Sequence, residues 1–151
     1  MADKKLELRL LTPAAKSVQA QYKYQGLVDM VIMRGATGDI GFLPGHTACS
    51  VVLSDGEMRI IGGEPADVRL AVLGGVAQVE NDVLTIITES AEWPEDIDQV
   101  RVEANREATL AELARATSPT EQTALREELK RLDLLLEVSK YPPSGVTRGI
   151  E

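Results

Sequence analysis

Through about residue 90 the chain alternates apolar and polar positions. Leu6, Leu8 and Leu10 alternate with Glu7 and Arg9, and Val18, Ala20, Tyr22 and Tyr24 with Gln19, Gln21 and Lys23. Successive side chains of a strand point to opposite faces, so each stretch predicts a half-buried strand. Short runs rich in Val, Ile and Leu follow: LVDMVIM, ACSVVL, EMRII, DVRLAVL, GVAQVE and VLTIIT. Turn residues bound them, among them Ser54-Asp55-Gly56, Gly62-Gly63, Gly74-Gly75 and Asn81-Asp82. About eight closely spaced strands predict an antiparallel β-sandwich with one core between two sheets.

After Glu92 the period changes. No glycine occurs between Glu92 and Ser144, and Ala, Glu, Leu and Arg dominate. Pro94, with Glu95 and Asp96 behind it, suits a helix start, because proline needs no amide donor there and the acids complement the helix dipole. Ile97, Val100, Ala104, Ala108 and Ala111 then fall on one helical stripe, narrow enough for another helix to approach closely. A second start is written in SPTE: Ser118 caps, Pro119 takes the first helical position and Glu121 completes a capping box. Leu125, Leu129, Leu132 and Leu136 form its seam, widened by Leu134, Leu135 and Val138. The short break at ATSP favours an antiparallel pair. The predicted class is therefore α+β: an N-terminal antiparallel β-sandwich over residues 1–90, then an antiparallel two-helix hairpin over 91–140. The sequence YPPSGVTRGIE predicts a flexible tail over 141–151.

Composition narrows the function. In 151 residues 44% are hydrophobic and only 3% aromatic, so the core must be aliphatic. A net charge of −8 repels nucleic acid and anionic lipid, and no local cluster of Lys and Arg offsets it. Cys49 is alone, which excludes an internal disulfide and fits a reducing cytosol. The start MADKKLELRLLTP lacks the apolar run of a secretory signal. No stretch approaches the ~20 apolar residues of a membrane span, so direct insertion in a membrane is not expected.

Candidate chemistry gathers in GDIGFLPGHTACS, which holds the only Phe, His and Cys of the chain. His46 would need a nucleophile to activate or a carboxylate to orient it, and Asp39 and Cys49 stand at no known catalytic spacing. One His and one Cys do not make a zinc site. No Gly-Lys-Ser/Thr follows the glycines, so this is not a Walker loop. Neither a catalytic nor a metal residue is assigned. Gly38, Gly41 and Gly45 can adopt positive φ and Pro44 stiffens the bend, which predicts a rigid projection from Asp39 to His46. A plain connecting loop is the other reading.

From Leu8 to Lys140 the chain resembles the epsilon subunit of F-type ATP synthases. The likeness is carried by LLTP, GATGDIGFLPGHTA, LGGVAQVENDVLTIITESAE and IDQVRVEANREA, in that order. It implies a non-catalytic rotor subunit of a proton- or sodium-translocating synthase, needing no cofactor. Its sandwich would touch the gamma subunit and the c-ring loops. Its helices would fold on the sandwich or extend towards the alpha–beta hexamer and hinder ATP hydrolysis. The resemblance places Asp39, Gly41, Pro44, Gly45 and His46 at the gamma and c-ring interface, with Asp39 and Gly41 nearer the ring and His46 nearer gamma.

In some bacterial members an Ile/Leu-Asp-x-x-Arg-Ala pattern helps bind regulatory ATP. Ile97, Asp98 and Arg101 match it, Val102 replaces the Ala, and Arg126 or Arg131 would complete the site from the second helix. Asp98 and Arg101 share a helical face, where an ion pair without ligand is the alternative. Arg101, Arg106, Arg115, Arg126, Lys130 and Arg131 would face an acidic beta segment, although glutamates interleave them. The expected location is peripheral, on the cytoplasmic face of a bacterial membrane. Two other functions compete: a standalone nucleotide-sensing module at Asp98 and Arg101, and a small hydrolase using His46.

Overall fold

The structure, a computed structural model, describes residues 4–13 and 22–146. Val18 and Ala20 of the second predicted strand lie outside them, as do the last five residues of the predicted tail. Ten strands occur among the described residues. They are β1 (Leu6–Leu11), β2 (Tyr22–Val28), β3 (Met30–Gly35), β4 (Gly38–Phe42), β5 (Cys49–Leu53), β6 (Gly56–Ile61), β7 (Asp67–Val72), β8 (Gly75–Glu80), β9 (Val83–Ile87) and the two-residue β10 (Ala91–Glu92).

Hydrogen bonds link them in the order β10-β7-β6-β3-β5-β8-β9-β1-β2, with β4 on the free side of β3. Between β3 and β5 the ladder narrows to one pair, Gly35 and Leu53. There the two halves turn to face each other. Leu6, Leu8, Leu10, Leu84 and Ile86 from one half meet Val31, Met58, Ile60 and Leu70 from the other in one buried aliphatic cluster. Alternation decides which residues enter it: in β1, Leu6, Leu8 and Leu10 are buried while Glu7 and Arg9 are not.

The sandwich is not wholly antiparallel, as the sequence had suggested. β1 runs parallel to β9, Leu8 against Leu84 and Leu10 against Ile86. A period of two identifies the buried face of a strand and carries nothing about its direction. The run LVDMVIM is also two strands rather than one, because the chain bends at Asp29 between β2 and β3. Asp29 accepts from Lys5 there.

The first helix begins later than Pro94 suggested. Pro94–Asp96 forms a single 3-10 turn, and α1 (Gln99–Arg115) starts after Asp98, whose side chain accepts from the Arg101 amide at 3.2 Å. Its inward face is also different. Val102 and Thr109 are buried, whereas Val100, with Ala104, Ala108 and Ala111 near it, looks outward and is 78% exposed. The two stripes have the same helical period, and alanine gives up little by exposure, so pattern alone did not choose between them.

Helix α2 (Pro119–Ser139) starts as its sequence predicts, with the Glu121 amide donating to Ser118 Oγ. It returns antiparallel to α1: Gln99 meets Ser139 at one end, Arg106 meets Asp133 midway, and Gln122 donates to the Ala116 carbonyl at the other. Leu132 and Val138 of α2 are buried. The hairpin lies folded on the sandwich, with α2 against β6, β7 and the 3-10 turn.

Gly75, at the start of β8, has φ +127, and a Cβ there would stand 2.3 Å from the Ile87 carbonyl oxygen on the neighbouring strand. Gly75→Ala is expected to lower stability by about 2–3 kcal/mol, combining a left-handed backbone with a backbone clash. Urea unfolding measures it, and a loss under about 0.5 kcal/mol would remove this account of the turn.

Candidate functional site

The stretch Gly38 to His46 does not form one projection. Gly38 to Phe42 is strand β4, paired in register with β3 from Gly35–Gly38 to Val31–Phe42. Gly41 lies within it in ordinary strand geometry, and of the three glycines only Gly38 and Gly45 have positive φ. Asp39 and His46 consequently sit towards opposite ends of the sandwich. Asp39 accepts from Arg34 at 3.2 Å and lines a cleft of about 450 Å³ beneath α2, shared with Asp55, Arg69 and Leu134.

The bend is confined to Leu43–His46, closed by the His46 amide donating to the Leu43 carbonyl. Gly45 donates to Asp82 Oδ1 at 2.6 Å, so the turn is tied to the β8–β9 loop. The His46 ring packs on Phe42 at 5.2 Å between centroids. Its Nδ1 is 2.8 Å from the Thr47 carbonyl, which only accepts, so that nitrogen carries a proton. Cys49 Sγ is 4.0 Å from the same nitrogen and therefore has no base there. These contacts fix the shape of a turn and leave Leu43 half exposed.

The residues matched to nucleotide binding are only partly brought together. Asp98 and Arg101 share the first turn of α1, but the Asp98 carboxylate is the cap of the helix. The antiparallel register puts Arg126 about three turns of α2 beyond the level of Arg101, roughly 16 Å away along the axis. Arg131 is nearer but donates to Asp55 at 2.7 Å, pinning α2 to the β5–β6 turn. Ile97 links the 3-10 turn to Asp98, half-buried. Arg106 pairs with Asp133 and Lys130 with Glu127, so half of the basic set is paired within the hairpin or to the sandwich.

The most prominent surface was not singled out from the sequence. On the outer side of one half of the sandwich Val52 pairs with Val76, and Val76 with Ile87, in adjacent strands. They are 72%, 45% and 48% exposed. The same row continues through Leu11, beside Ile87, to Tyr22. The next row is polar, with Ser50, Gln78, Thr85, Arg9 and Gln25 in register. The signal was present as an apolar residue at an outward position in each of five strands, but it emerges only once the register is known.

Among the described residues no group of three or more His, Cys, Asp and Glu is placed to hold a metal ion. No helix among them is long and apolar enough to cross a membrane. Fold and surface together define a β-sandwich with an apolar outer row and a docked helical hairpin.

The comparisons agree with that class. A family model described as ATP synthase, Delta/Epsilon chain, beta-sandwich domain matches residues 5–94. The ATP synthase epsilon chain of Acidithiobacillus ferridurans is 34% identical over 126 residues, covering 83% of this chain and 89% of that one. The epsilon chain of Caldanaerobacter subterraneus is 32% identical over 140 residues, 92% and 97% of the two chains. The chain belongs to the ATP synthase epsilon family. A chain of the Euglena gracilis mitochondrial ATP synthase has the same fold, with a TM-score of 0.69 at 20% identity over 89% of this chain and 83% of that one. A chain of the Tetrahymena thermophila mitochondrial enzyme gives 0.56 at 14% identity over 93% and 100%.

Two residues at the junction between sandwich and hairpin give separate tests. Asp98→Ala is expected to cost about 1 kcal/mol of hairpin stability, with Asp98→Asn close to neutral, because asparagine also caps. Thermal melting followed by helical circular dichroism measures both, and equal losses would mean that the charge rather than the cap matters.

Burial pushes the Glu92 carboxyl above its usual value, with Asp96 adding to the shift and Lys23 opposing it. Folding thus disfavours the charged form, and the folded chain holds more protons than the unfolded one as Glu92 titrates. The penalty is complete above the folded value and absent below the unfolded one. Glu92→Gln should raise Tm at neutral pH, and the gain should vanish on acidification. A gain that persists unchanged in acid would refute the assignment.

Proposed function

We infer that the chain is the non-catalytic rotor subunit of a proton- or sodium-translocating F-type ATP synthase. Its sandwich joins the gamma subunit to the c-ring loops, and its helical hairpin regulates ATP hydrolysis by reaching towards the alpha–beta hexamer. The observation that carries the stalk contact is the exposed row Val52, Val76 and Ile87 with its extension through Leu11 and Tyr22. An apolar strip on a rigid sheet, bordered by a polar row, suits a permanent partner better than water.

The related Euglena structure is described as an assembly of OSCP, F1 and c-ring, and the Tetrahymena structure as central stalk and c-ring. The family membership and the apolar row together support placement on that stalk. The Leu43–His46 turn, held by Asp82, offers a second rigid contact with gamma. The outer edge of β4 at Gly41 offers one to the ring. In this reading the subunit uses no cofactor and contributes no catalytic group. It is peripheral, held to the cytoplasmic face of a bacterial membrane through the complex.

Replacing the central valine tests the row. Val76→Asp puts a charge between Val52 and Ile87 where each strand is otherwise exposed to solvent, so the isolated chain should keep its fold. Burying a valine is worth about 1.5–3 kcal/mol, so affinity for a gamma-containing, epsilon-free ATPase should fall by roughly tenfold to a hundredfold. Undiminished binding by a folded Val76→Asp chain would exclude this face from the stalk contact.

A further inference from the structure

We propose that Tyr141–Val146 is a latch, which clasps the end of α2 to the sandwich and sets how readily the hairpin leaves it. The tail predicted to be loose from residue 141 instead docks through Val146 (the residues beyond are not described). Tyr141 donates from its hydroxyl to Glu57 at 2.9 Å, and the Arg69 guanidinium lies over its ring at 4.9 Å. The bond to Glu57 is the main reason the Tyr141 hydroxyl is held above its usual value.

Three residues on, Ser144 is 6% exposed and grips both oxygens of Glu95 on the 3-10 turn. Its amide donates to Oε1 at 2.9 Å and its hydroxyl to Oε2 at 2.5 Å. The Val146 amide donates back to Ser144 Oγ, and the Val146 side chain packs against the sandwich core. Gly145, at φ +72, passes beside Pro65 in the β6–β7 loop.

The helices cover the sandwich without entering its core. No residue of α1 or α2 belongs to the aliphatic core cluster, whereas Val146 packs on it. Arg131–Asp55 is a partly exposed ion pair, and the cleft beside it is lined by charged groups including Asp39, Arg69 and Glu137. Such contacts are screened by salt and solvated when broken. The clasp at Ser144 adds a buried amide and hydroxyl bonded to the exposed Glu95, and it carries the Val146 side chain onto the core.

The strap also joins elements on both sides of the hinge. It begins at the end of α2, crosses β6 and β7, grips the 3-10 turn that leads into α1, and ends on the core. For α2 to move away the strap must come off or the end of the helix must unwind. Its consequence for ATP hydrolysis rests on the regulatory function proposed above, while its role as a latch is independent of it.

Hydrogen–deuterium exchange on the isolated chain reads the latch directly. Four proteins suffice: the full chain, Ser144→Ala, a chain ending at Val146 and a chain ending at Lys140. Amides of α2 should exchange about tenfold faster or more in Ser144→Ala and in the chain ending at Lys140. The chain ending at Val146 should match the full chain, and amides of β8 and β9 should keep their protection in all four.

Three results would overturn the proposal. They are unchanged α2 exchange without the strap, faster exchange already in the chain ending at Val146, or loss of protection in β8 and β9 to the same degree. Reconstituted ATPase separates the two ideas. Faster α2 exchange with unaltered hydrolysis keeps the latch and removes the regulatory function of the hairpin.

Discussion

The aliphatic core of the sandwich is built entirely from residues outside the two helices. Leucines of β1, β7 and β9, with Ile60, Ile86, Val31 and Met58, fill the space between the two halves, and Trp93 seals it at the exit towards the hairpin. No residue of α1 or α2 belongs to it. The helices settle instead on an outer face where Glu57, Arg59, Asp67 and Arg69 are paired among themselves. The hairpin's contacts with the sandwich are therefore mixed: the Arg131–Asp55 pair and the charged cleft lie beside the fully buried Ala71 of β7 and Val138 of α2.

Much of this was legible in the sequence, for identifiable reasons. Alternation in Leu6 to Leu10 depends on one strand alone and translates directly into burial. The Ser118-Pro119-Glu121 start is equally local and is realised as written. Features that depend on two distant segments were not legible. The parallel pairing of β1 with β9 needs the closure of the sandwich. The direction of the alanine stripe on α1 needs the position of α2. Pro94 and the two acids after it signalled a helix start correctly in kind but opened a 3-10 turn, because Asp98 supplied a better cap four residues after the proline.

The glycine-rich stretch illustrates the limit for function. Its residues looked like one device because they are adjacent, and β4 separates them by the length of a strand. Asp39 belongs to the cleft under α2, while His46 belongs to a turn stitched to Asp82. The apolar row from Val52 to Tyr22 had the opposite fate. Its members are scattered over the first 87 residues and become one surface only through the register of five strands. Adjacency in sequence overstated how closely the first group is held together, and separation in sequence concealed the second.

The energetics of the docked hairpin follow from where its contacts lie. An ion pair such as Arg131–Asp55, with side chains 46% and 30% exposed, contributes at most about 1 kcal/mol. The charged cleft beside it gains no more per contact and weakens with salt. Ser144 makes two hydrogen bonds to Glu95, whose carboxylate is exposed, so each contributes about 0.5–1.5 kcal/mol, and Val146 adds an apolar contact with the core. How firmly the hairpin stays docked therefore depends on a few residues beyond α2 as well as on the long helical face itself. A change confined to that short strap can shift the balance while leaving the sandwich, its outer row and the seam between the helices as they are. Regulation and attachment to the stalk can then vary separately in one small chain.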